Sequence, residues 1–121
     1  MERPAPAPPD RGTRVALIFA LAAERLSTYY EHGQWLSDAQ GAALAADWLA
    51  RSRRTLPVAE RRQLSALSDS LARQMAATLS REAGLFAAHE MMEALDPNYH
   101  SELAQTLLEE CARLLDEAGP E

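Results

Sequence analysis

The chain has 121 residues and a formal net charge of −6, with twelve arginines as its only Lys/Arg-type cations. Its 24 alanines and 18 leucines stand against two valines, one isoleucine and five threonines. That balance excludes a sheet protein and predicts an all-α fold, because Ala and Leu favour helices whereas strands draw on β-branched residues. A compact monomer of this length would bury about two-thirds of the unfolded chain's surface, enough for a core without metal or disulfide staples.

Residues 1–12, MERPAPAPPDRG, are proline-rich and lack apolar periodicity, which reads as an extended, flexible tail before a single helical domain over 13–119. A first helix is predicted over about 13–32, with Thr13 as N-cap and Gly33 as its left-handed stop. Val15, Ile18, Ala22, Leu26 and Tyr29 recur along it at helical spacing. A second helix over 38–54 opens on Ser37-Asp38-Ala39-Gln40, a capping box, and places Asp47 four residues before Arg51, where the two can pair.

Pro57 restarts the chain, and Leu64, Leu67, Leu71, Met75 and Leu79 follow at near-heptad spacing. Beyond Gly84 the stripe resumes as Leu85, Ala88, Met92 and Leu95. Read as continuous, 58–95 is a long central helix of about 57 Å. It would be a spine covered by shorter helices and left with part-covered apolar stripes, a shape that favours a second chain. Four helices then make the bundle, or five if the chain breaks near Gly84. Glycine costs only about 1 kcal/mol inside a helix and leaves both open. Asp96-Pro97 opens a last helix over 97–118, with Leu103, Leu107, Cys111, Leu114 and Ala118 on one face and Gly119-Pro120 at its end.

Charge is split along the chain: residues 1–81 carry +3 and residues 82–121 carry −9. The single cysteine, Cys111, forms no intrachain disulfide and suits a reducing cytoplasm. No apolar run approaches the roughly 20 residues of a membrane helix. Val15 to Ala23, after Arg11 and Arg14, resembles a secretory signal. Glu2, Asp10 and the prolines ahead of it, and the helical pattern continuing through Leu26, read against cleavage.

Arg51, Arg53, Arg54, Arg61 and Arg62 straddle the Pro57 junction and form a candidate anion- or partner-binding cluster, beside the amino end of the third helix. Tyr29, Tyr30, Trp35 and Trp48, with His32 and Tyr99 nearby, are candidates for an aromatic interface. His89 and Glu93 lie four apart, with His100 beyond, but the zinc-protease pattern requires a second histidine where Glu93 stands. Glu90-Met91-Met92-Glu93 resembles the first half of the paired-carboxylate signature of all-α nucleotide pyrophosphohydrolases. That signature's second half, a glutamate and an aspartate three apart, is missing, since Glu110 is followed three later by Arg113. No catalytic triad or phosphate-cradling glycine loop stands out, and Cys111 reads as a core residue.

The composite expectation is a non-enzymatic helical interaction or adaptor protein without metal or cofactor. It would be cytoplasmic, away from membranes, and oligomeric or a small subunit of a complex. Its acidic part, Glu82 to Glu121, would meet a basic protein or the arginine cluster of another copy. Two alternatives are a subunit of a nucleoprotein complex, with the arginine cluster on phosphates, and a metal-dependent hydrolase using Glu90 and Glu93.

Overall fold

A run of apolar residues from Leu17 to Ala23, all buried and followed by buried Leu26, covers every side of one helix. A helix apolar all round sits inside a bundle rather than on its surface. This helix, α1 (Arg11–His32), is the centre of the fold in the computed structural model, which describes residues 9–93 and 102–118. Around it stand α2 (Asp38–Arg51), α3 (Val58–Thr78), α4 (Arg81–Glu93) and α5 (Glu102–Glu117), and every regular element among the described residues is helical. α1 packs most extensively on α4 and α3, and also on α5 and α2. The predicted tail, the Asp96-Pro97 and Gly119-Pro120 signals, Tyr99 and His100 lie outside the described residues, apart from residues 9–12.

α1 begins two residues earlier than predicted. Asp10, not Thr13, is the N-cap, its carboxylate accepting from the Thr13 amide at 2.8 Å. Aspartate is at least as good a cap as threonine. The hydrogen bond from Thr13, together with nearby Arg54 and Arg14, holds the Asp10 carboxyl below its ordinary range. Gly33 ends the helix at φ 70°, its amide donating to Tyr29 O at 2.9 Å.

α2 opens with the predicted capping box: Ser37 Oγ accepts from Gln40 N at 3.2 Å, and Gln40 Oε1 accepts from Ser37 N at 2.8 Å. The Asp47–Arg51 ion pair also forms. The helix stops at Arg51 rather than residue 54. Arg53 turns to φ 60°, Arg53 N donates to Ala50 O at 3.1 Å and Arg54 N donates to Leu49 O at 2.9 Å. These are the two bonds of a Schellman stop, with an arginine in the position glycine usually fills.

The long central helix over 58–95 does not exist. The chain breaks at Leu79-Ser80, four residues before Gly84, giving five helices among the described residues. Leu79 is extended, at φ −108° and ψ 142°. Ser80 then starts α4, its hydroxyl accepting from Ala83 N at 3.2 Å and its carbonyl from Gly84 N at 2.7 Å. Carbonyls at the end of α3 need partners, and the Tyr30 hydroxyl lies 3.3 Å from Ala76 O and 3.2 Å from Leu79 O, sharing its proton between them. Gly84 serves another purpose: a Cβ there would overlap the Tyr30 ring, so glycine lets α4 close on α1. The spine is therefore α1, about 33 Å long.

On α4, Ala88 of the predicted stripe is buried and Leu85 half-buried, with Ala87 and Met91 buried beside them; the Met92 side chain and Leu95 lie outside the described residues. In α5, Leu107, Cys111 and Leu114 enter the core as expected, while Ala118 is exposed. No helix among the described residues is long and apolar enough to cross a membrane.

Candidate interaction surface

Arg25 is fully buried among α1, α2 and α3. Its Nη1 donates to Ser65 O at 2.8 Å; its Nη2 donates to Ser65 Oγ at 2.6 Å and Ser37 O at 3.1 Å. Asp69 lies 3.3 Å from Nη1, and Asp38 lies 3.4 Å from Nη2. Ser65 Oγ in turn donates to Asp38 O at 3.0 Å, and Ser68 Oγ donates to Ser65 O at 2.7 Å. Gly41 makes room for this knot, since a Cβ there would come within 2.6 Å of Arg25 Nη2. Burial pulls the guanidinium below its usual range, and the carboxylates of Asp69 and Asp38 oppose that pull. Arg25 belongs to no motif or charge cluster in the sequence. Its signal is position: it falls four residues after Leu21 and seven after Ile18, on the buried face of α1, where a cation must be paired.

Asp69 carries the network outward. It accepts from the Trp35 indole N–H and, at 2.8 Å, from Arg73 Nε, while the Arg73 guanidinium lies 4.7 Å from the Trp35 ring centre. Burial pushes the Asp69 carboxyl up, but the hydrogen bonds from Trp35 and Arg73 and the charge of Arg25 outweigh it and leave the group below its ordinary range. Trp35 meets Tyr29 edge-on at 5.3 Å, and Tyr29 meets Tyr30 edge-on at 5.2 Å. Tyr29, the middle ring of this trio, is 42% exposed. Beside it Tyr29, Tyr30, Glu31, Gly33 and Arg81 line an open depression of about 510 Å³.

Three of the four predicted aromatic residues thus share one rim. Trp48 does not join it: it packs half-buried against the core and makes no ring contact among the described residues. Asp69, Arg73 and Arg81, which complete the rim, carry no signal in the sequence because they come from α3 and α4.

The arginine cluster is largely engaged within the fold. Arg51 pairs with Asp47, Arg54 donates to Thr13 Oγ1 at 2.9 Å, and Arg61 donates to Leu56 O at 3.3 Å. Arg53 and Arg62 are exposed. The acidic last third is also partly neutralised locally. Arg113 bridges Glu110 and Glu117, and Arg11 reaches Asp116 at 2.9 Å and Ala112 O at 3.2 Å, tying the end of α5 to the start of α1.

Glu90 is buried whereas Glu93 is exposed, 3.6 Å from His89. Among the described residues no three His, Cys, Asp or Glu side chains converge as metal ligands. Glu110 is committed to Arg113, which lowers its carboxyl. Burial, with Glu110 alongside, pushes the Cys111 thiol up to about 12 and keeps it protonated as a core residue. No family model, curated protein or solved structure matches the chain.

Proposed function

We propose that this protein acts by binding other proteins rather than by catalysis, as a small helical interaction or assembly subunit of the cytoplasm. The rim of Tyr29, Tyr30 and Trp35 is its contact face. The observation that carries this reading is the exposed Tyr29 ring, held edge-on between Tyr30 and Trp35, with Trp35 itself fixed by Asp69 and Arg73. Tyrosine, tryptophan and arginine dominate binding energy at protein interfaces, and rings already immobilised lose little entropy on docking. In-cell cross-linking followed by purification from the native host tests it. Protein partners recovered with the native chain are lost with Tyr29→Ala, while helix content and melting temperature stay unchanged. Partners retained in full by that variant reject the face.

A second reading, phosphate contact within a nucleoprotein complex, draws support from the exposure of Arg53 and Arg62. It predicts low-salt oligonucleotide binding that disappears in Arg53→Glu/Arg62→Glu. The hydrolase reading draws no support from Glu90 and Glu93, one buried and the other exposed.

A further inference from the structure

We infer that the depression at the aromatic rim receives the proline-rich segment Pro4–Pro8 of a second copy of this chain; the inference rests on the protein-contact reading above. Proline-rich segments dock in grooves walled by aromatic rings, because a preformed polyproline helix loses little entropy and stacks its rings on flat side chains. Here Tyr29 and Tyr30 supply the rings, and Gly33, which also lines the depression, has nothing within 4 Å of where a Cβ would stand. The depression carries one charge of each sign, Arg81 and Glu31, and the segment is preceded by the adjacent pair Glu2 and Arg3.

Reach selects a second copy over the chain's own segment. Pro9 is buried beside the Asp10 cap, at the opposite end of α1 from Tyr29. Tyr29 stands about 28 Å up the helix from Asp10. Pro4 can extend no more than about 18 Å from Pro9. The prolines therefore cannot fold back onto their own rim. Such a contact joins the amino end of one copy to the far end of α1 in another; exchanged reciprocally it closes an antiparallel two-fold dimer, and passed onward it builds rings or chains.

Light scattering of the purified full-length chain, from dilute to millimolar concentration, tests this. The expected result is a mass that rises with concentration and returns to monomer in Pro4→Ser/Pro6→Ser/Pro8→Ser, in Tyr29→Ala, and on adding a peptide of residues 1–10. A chain that stays monomeric throughout overturns the inference. So does association that survives the proline substitutions, or association that the proline variant loses but Tyr29→Ala keeps. The chain is tested alone, so failure of self-association is distinguishable from failure of the protein-contact reading, which cross-linking to host proteins decides separately.

Discussion

Two groups of arginines divide the electrostatics of this bundle. One is a lone residue, Arg25, with no exposed surface and hydrogen bonds into two neighbouring helical segments. The other is the group of five around the α2–α3 turn, conspicuous in the sequence, where Arg51, Arg53 and Arg62 are exposed and Arg51, Arg54 and Arg61 each hold a contact with Asp47, Thr13 or Leu56. Density along the chain says little about energetic weight. A guanidinium surrounded by water exchanges one set of hydrogen bonds for another, whereas a buried one has only the partners the fold provides.

The sharpest way to break this contrast is Arg25→Met, which keeps most of the side chain's volume and removes the charge. It leaves Ser65, Ser37 and Asp69 without their shared donor and should cost about 3–5 kcal/mol, read from the urea unfolding midpoint. Since a domain's whole stability is roughly 5–15 kcal/mol, that loss approaches unfolding. A loss below about 1 kcal/mol would place Arg25 with the surface arginines.

Next in size is Asp69→Asn, expected to cost about 2 kcal/mol at neutral pH by weakening the bonds to Arg25, Trp35 and Arg73. Its pH dependence is more telling. The Asp69 carboxyl titrates lower in the fold than in the unfolded chain, so its stabilisation is complete above the ordinary carboxylate range and is lost as pH falls through the folded value. Melting temperatures of the native chain should therefore drop more steeply below about pH 4 than those of the variant. Trp35 fluorescence should shift in the same interval.

At the turn the expected effects are smaller, and one has the opposite sign. Arg53→Gly relieves a left-handed arginine at φ 60° and should raise stability by up to about 1 kcal/mol, net of the freedom glycine adds to the unfolded chain. Arg51→Ala removes an exposed pair with Asp47 and should cost about 0.3–0.5 kcal/mol, diminishing in salt. If either changes stability by several kcal/mol, the division between the two groups fails.

What could be read along the chain was local. The Ser37–Gln40 box, the Gly33 stop and the Asp47–Arg51 pair each involve residues within four positions of one another, so backbone stereochemistry and short-range hydrogen bonding suffice. The core face of α5 was legible for the same reason, because Leu107, Cys111 and Leu114 recur at the helix period. The rim was half legible: Tyr29, Tyr30 and Trp35 are near neighbours in sequence, but Asp69 and Arg73, which fix Trp35, are not.

The amino-acid order carried the helical class of the described residues and two of the caps, Gly33 and the Ser37–Gln40 box, through propensities and hydrogen bonds that act over a few residues. Three outcomes depended on packing between distant segments. Tyr30 accommodates the break at Leu79-Ser80 by meeting carbonyls more than forty residues away, and Gly84 becomes a close approach rather than a kink. Arg25 becomes tolerable inside the bundle only once Ser37, Ser65 and Asp69 converge on it. The common cause is desolvation: a polar group leaving water must find its partner in whatever segment the fold brings beside it, and sequence spacing does not record that neighbour.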